Sequence, residues 1–357
     1  MQEDRLETPR GGWRDRRRLV VAGAAVAVVA FAFAFVLPRI ADYRDVWDVL
    51  QTLGWQEALV LAGATAINLV TFPPPWMAAL PGIGFRQAFM LSQASTALSL
   101  VSPAGAAVGM AGSYSMLRSW GFERASVALA VAVTGIWNQL SNFAFPIVGF
   151  ALLTSAKQDH PALRTTAFVG IVIFIVVVCV FALALQSRRR AVAIGDLAAR
   201  LVNRVYGLIR LERRVSGKGE SVARFRQQAL QLLRRRWHVL TAATLAGHLG
   251  VFLVLLACVE TVGNTSAQIT WIEAFAAWSL VRVLGAIPFT PGGLGFVELG
   301  LSGALVAFGA GNADAVAVTL LYRALTIVPT LALGMLAAAT WRTHHPAGRL
   351  ERGVDDR

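Results

Sequence analysis

Six apolar runs, at residues 19–37, 57–80, 125–153, 164–186, 238–260 and 313–340, decide what this chain of 357 residues can fold into. Each approaches or exceeds the roughly 20 residues an α-helix needs to cross a bilayer. A hydrophobic content of 56%, only 15% charged residues and a mean hydropathy of +0.59 leave little polar surface for a soluble globule. The expected fold class is therefore an all-α polytopic membrane protein.

Two further apolar regions, 88–117 and 271–310, are each broken near the middle. Their shorter halves, at about 1.5 Å per residue, fall short of the roughly 30 Å hydrocarbon core. Both regions are read as re-entrant helical hairpins, giving about six full spans plus two hairpins.

The net charge of +13 sits in loops between apolar runs, as the positive-inside rule expects of cytoplasmic loops, and gives no reason to invoke nucleic acid. The N-terminus, Arg86, Arg118, Arg124, residues 187–237 and the segment from Arg342 onward fall on one side, taken as cytoplasmic. The first hairpin then enters from the cytoplasm and the second from outside. The basic segment Arg14 to Arg18 before residue 19 resembles the start of a signal peptide, but the apolar stretch behind it is long for one and is read as an uncleaved span. Cys179 and Cys258 lie in mid-run, where they pack as small hydrophobes.

Opposite entry of the hairpins argues for an inverted repeat. Span 57–80, hairpin 88–117 and span 125–153 correspond to span 238–260, hairpin 271–310 and span 313–340. At a constant offset Ser102-Pro103-Ala104-Gly105 falls on Thr290-Pro291-Gly292-Gly293. The implied organisation is residues 1–56 as N-terminus, first span and outer loop, and 57–186 as first repeat plus a connecting span. A basic insert follows at 187–237, then the second repeat at 238–340 and a cytoplasmic tail at 341–357. Within the insert, Ile194 to Leu208 and Val222 to Leu232 repeat apolar residues at helical spacing around the turn Ser216–Gly219, which reads as two short helices on the headgroup surface.

The breaks carry the candidate chemistry. Ser102 and Thr290 each precede proline, an N-cap followed by Pro at the first helical position, so a helix is expected to begin at each break. Its free N–H groups carry the positive end of the helix dipole, and Gly105, Gly292 and Gly293 would let an anion approach the backbone. The alternative is that these glycines serve only close helix packing. Arg282 and Glu298 lie equally far from Thr290 on the two arms, within reach of an ion pair, and Arg323 lies near the middle of the last span. Ionisable groups at this depth mark pathways or binding sites, and phosphate is the anion a membrane offers. The candidate substrate-binding set is thus Arg282, Thr290, Gly292, Gly293, Glu298, Arg323, Ser102, Gly105 and Asn138. Asn138 stands for the amide cluster with Gln139 and Asn142; Asn68 and His248 are weaker polar signals in apolar surroundings. No nucleotide-binding loop, zinc-protease helix or serine elbow is recognisable, so neither a cofactor nor a catalytic residue is expected.

The segment Ile287 to Leu301, followed by Leu321-Tyr-Arg-Ala-Leu-Thr-Ile-Val-Pro329 and Gly334, resembles the flippase-like integral membrane family typified by the transmembrane region of lysylphosphatidylglycerol synthase. Pro288, Thr290, Pro291, Gly292, Gly293, Gly295 and Glu298 match its core motif, and the resemblance spans residues 57–340. It implies transbilayer movement of lipids, aminoacylated phospholipids in the bifunctional members, in a bacterial or archaeal plasma membrane. Two departures limit what carries over: Ser102 to Gly112 lacks the Arg and Glu that many relatives place there, and no aminoacyl-transfer domain follows residue 340. The expected partners are membrane lipids, an anionic phospholipid or a polyprenyl-phosphate lipid, with a partner enzyme supplying modified lipid and oligomerisation both open. The rival readings are a membrane enzyme acting on a lipid-linked substrate with Glu298 as base, and an ion-coupled carrier of a small soluble anion.

Overall fold

The computed structural model describes residues 51–102, 105–155, 219–262, 265–285 and 291–340, with single positions between 44 and 48 and between 168 and 183. The expected spans 19–37 and 164–186, the first helix of the insert and the C-terminal tail lie wholly or largely outside these residues. Within them every regular element is helical.

Helix α1, Trp55–Thr71, stops where Pro73, Pro74 and Pro75 remove three backbone donors, and a short helix α2, Pro74–Ala79, restarts with proline in its first turn. Helices α3, Phe85–Val101, and α4, Gly105–Ser119, form the first hairpin. Helix α5 runs from Arg124 to Ser155 with Pro146 inside it. Helix α6 spans Gly219–Thr261, and the single turn α7, Thr265–Gln268, leads to α8, Trp271–Gly285. A 3₁₀ turn at Pro291–Gly293 precedes α9, Phe296–Ala307, and α10 is Asn312–Thr340.

Among the described residues, four segments are long and apolar enough to cross a membrane: Trp55–Ala79, Arg124–Ser155, Phe225–Thr261 and Asn312–Ala338. Only 28% of the apolar window of the first is buried, against 61% of the third. The uncovered apolar faces, with Leu59, Val60, Ile67 and Val70 on α1 and Val328, Met335 and Leu336 on α10, would be an aggregation surface in water and are ordinary against lipid chains.

The insert departs from expectation. Residues 222–232 are not a separate surface helix; they are the first turns of the 43-residue α6. Leu233, Arg234, Arg235, Arg236 and Trp237 between them include no Gly or Pro, so nothing stops the helix. At 1.5 Å per residue α6 is about 65 Å long, twice the hydrocarbon thickness, so its basic start stands outside the core.

Neighbouring helices obey a simple exchange rule. Matching α1–α2, α3, α4 and α5 with α6, α8, α9 and α10, the packing of α3 on α4 answers that of α8 on α9, and α4 on α5 answers α9 on α10. Across the halves α3 on α10 answers α8 on α5, while α1 against α6 maps onto itself. The crossing of α3 and α10 is close because Gly334 faces Ala97 and the Gln93 carbonyl; a Cβ there would lie 2.7 Å from that oxygen. Two apolar cores form, one around Leu255, Trp278, Leu301 and Leu305, the other around Leu91, Leu117 and Val127 with Leu240 of α6.

Candidate functional site

The second break is built by its glycines. Gly292, Gly293 and Gly295 have φ of 60°, 67° and 86°, the left-handed region that glycine enters without penalty. This places the start of α9 at Phe296, five residues later than a Thr290 cap with Pro291 at the first helical position would put it. The cap is Gly295, whose N–H donates to Glu298 Oε2 at 2.6 Å. Pro288 and Thr290 lie outside the described residues. At Gly292 an added Cβ would also meet Leu100 Cδ2 at 2.8 Å. Gly292→Ala is therefore expected to destabilise the protein by about 1–2 kcal/mol from backbone handedness alone, read as a lower thermal unfolding midpoint in detergent; an unchanged midpoint would show that the turn is not under this constraint.

The late start of α9 also sets the ion pair. Glu298 sits on the first turn, where its Oε1 accepts from Arg323 Nε at 2.6 Å, and Arg323 Nη2 donates to the Gly292 carbonyl at 2.9 Å. The expected Arg282–Glu298 pair is replaced by Arg323–Glu298. Glu298 is 1% exposed and both its oxygens are engaged. The Gly295 N–H is spent on this carboxylate, so that N–H does not point at a ligand.

Arg282 takes other partners. Its Nε and Nη2 donate to Asn142 Oδ1 of α5 at 3.1 and 2.9 Å, and Nη2 lies 2.6 Å from His248 Nδ1 of α6. Because a guanidinium only donates, His248 accepts at Nδ1 and carries its proton on Nε2, which is buried without a partner. The guanidinium also lies over the Trp278 ring, 5.6 Å from its centroid. Asn142 Nδ2 donates to Gln139 Oε1 at 3.1 Å, and Asn138 Nδ2 reaches the same oxygen at 3.4 Å. Asn138 is exposed and joins Arg282 only through this amide chain. Among the described residues no carboxylate lies within ion-pair distance of Arg282.

Both arginines open onto one cavity of about 150 Å³ between the halves. Arg282 comes from α8 and Tyr322, Arg323, Thr326 and Thr330 from α10. The facing wall is Asn68 of α1 with Gln93, Thr96 and Leu100 of α3. Asn68 and Gln93 are 4% and 3% exposed, and their amide oxygens have no hydrogen-bond partner.

The first break stands apart from the polar wall. Ser102 is the extended residue that ends α3, with φ −111° and ψ 139°, as its position before Pro103 requires. Gly105 opens α4, and a Cβ there would collide with the Ser99 carbonyl, so this glycine serves the close approach of the two arms. Leu100 links the breaks, packing on Gly292 while lining the cavity. Gln93, Thr96, Thr326 and Thr330 were not singled out by sequence, although the polar run Ser92-Gln93 and Ser95-Thr96 in an apolar helix, and threonines three and seven residues beyond Arg323, are visible signals.

The fold and site define a multi-pass helical membrane protein with a partly open, arginine-lined cavity between helices of its N- and C-terminal parts. The chain belongs to the family described as the lysylphosphatidylglycerol synthase TM region, which matches residues 20–334. No curated protein matches the chain.

Proposed function

We propose that this protein is a lipid translocase of a prokaryotic plasma membrane, with both termini cytoplasmic, which admits a phosphate-bearing headgroup to the cavity between its halves while the lipid tails stay in the bilayer. The observation that carries this reading is the charge of the cavity: two guanidinium groups open onto it and the neighbouring carboxylate, Glu298, answers only Arg323. An uncompensated cation at membrane depth is costly unless an anion is its working partner. Helices α3 and α9, capped at both ends and 17 and 12 residues long, are at or below the lower limit for a full crossing and favour two re-entrant hairpins. The exchange rule among helix neighbours supports an inverted repeat, the architecture in which a site between the halves can open to either side by rocking one half against the other.

The family supports a lipid as cargo. An enzyme acting on a lipid-linked substrate, with Glu298 as base, is disfavoured because both oxygens of that carboxylate are engaged. The test is reconstitution of the full chain in vesicles carrying a fluorescent phospholipid, with the probe followed between leaflets and the extracted lipid weighed. Accelerated movement of a lipid of unchanged mass is expected. A lipid of altered mass would make the protein an enzyme, and movement no faster than in empty vesicles would remove the translocase reading.

A further inference from the structure

The wall of the cavity specifies more than a phosphate. Besides the guanidinium groups of Arg282 and Arg323, its polar lining consists of neutral groups: the amides of Asn68 and Gln93 and hydroxyls including those of Thr326 and Thr330. The amides both donate and accept, while Thr326 and Thr330, whose hydroxyl protons go to the Tyr322 and Thr326 carbonyls, remain as acceptors, so the wall matches sugar or glycerol hydroxyls. The amide oxygens of Asn68 and Gln93 are buried without a hydrogen-bond partner, a cost that a ligand hydroxyl brought to them would relieve. Among the described residues no carboxylate lines the cavity, and Glu298, beside Arg323, has both oxygens occupied. A cationic headgroup would therefore meet a wall of net positive charge with nothing to receive it. The volume of about 150 Å³ suits a phosphate with a short polyol; a void of that size holds about one six-membered ring.

We infer that the cavity selects a net-anionic phosphodiester or phosphomonoester bearing neutral hydroxyls, of which a glycerol-substituted phospholipid is the membrane form, and rejects headgroups carrying a free ammonium such as an aminoacyl ester. This rests on the translocase reading for its cargo but is decided by binding alone. The Asn68 and Gln93 amides read the hydroxyls, and Arg282 with Arg323 holds the phosphate.

The purified full chain in mild detergent is titrated with dioctanoyl forms of phosphatidylglycerol, phosphatidic acid and lysyl-phosphatidylglycerol, and with soluble glycerol phosphate, following binding by native mass spectrometry and tryptophan fluorescence. Phosphatidylglycerol is expected to bind at least about tenfold more tightly than the lysyl form, because like-charge juxtaposition is strongly unfavourable. It is also expected to bind several-fold more tightly than phosphatidic acid. Asn68→Leu and Gln93→Leu should erase the second preference and leave the first. Equal or tighter binding of the lysyl lipid overturns the inference, as does binding of none of the four probes. Glycerol phosphate binding as tightly as the lipid would keep the chemistry and make the ligand a soluble one. Selective binding without movement in vesicles would leave this inference standing and count against the translocase.

Discussion

Glu298→Gln is expected to destabilise the protein by about 3–5 kcal/mol, the usual loss when one member of a buried ion pair is removed. The carboxylate receives Arg323 Nε on one oxygen and the Gly295 N–H on the other. A glutamine offers a single acceptor oxygen, so either the guanidinium or the helix cap loses its partner. Thermal unfolding in detergent reads the effect. The double variant Glu298→Leu with Arg323→Met is expected to recover a large part of the stability, because replacing both charges by apolar groups removes the orphan that the single change creates. It should also lose transport, since one cavity guanidinium is gone. An unchanged unfolding midpoint in Glu298→Gln would mean that the pair does not hold the Pro291–Gly295 turn against α10.

Arg282→Gln is expected to lower headgroup movement in vesicles by about a hundredfold while costing stability only modestly. Truncating one partner of a buried charged contact typically costs 2–5 kcal/mol of binding, whereas the protein partners of Arg282 are the neutral Asn142 and His248. Arg282→Lys should behave closer to glutamine than to arginine. The fork of the guanidinium places Nε and Nη2 on Asn142 while Nη2 also meets His248, and a single ammonium does not reproduce that geometry. Initial rates in matched vesicles check both variants, with folding verified by the unfolding midpoint. Wild-type rates in Arg282→Gln would remove this residue from the path.

Arg282, Glu298 and Arg323 were legible in the sequence because a charge inside an apolar run is conspicuous on energetic grounds alone. Their pairing was not. It turns on where α9 begins, and the chain offers two start signals in succession, Thr290-Pro291 and Gly295 with Glu298 three residues on. Three left-handed glycines let the second prevail, and the shift carries Glu298 from Arg282 to Arg323. The break after Val101 and the stop at Pro73 follow from local chemistry and could be read directly. The cavity wall could not, because Asn68 and Gln93 gain their meaning only when α1 and α3 meet α10 from the other half. The end of the basic insert is hidden for a different reason: amphipathic spacing marks its helix, but only the lack of any breaker through Arg236 shows that it continues into the span.

If the part-buried guanidinium groups of Arg282 and Arg323 make the cavity a seat for an anionic headgroup, bound lipid must depend on them. Native mass spectrometry of the protein and of Arg282→Gln, each purified from the same membranes in mild detergent, tests this dependence most directly. Retention of an anionic phospholipid by the unaltered chain and its loss from the variant are predicted. The same lipid held equally by both proteins, or no lipid on either, would contradict the claim.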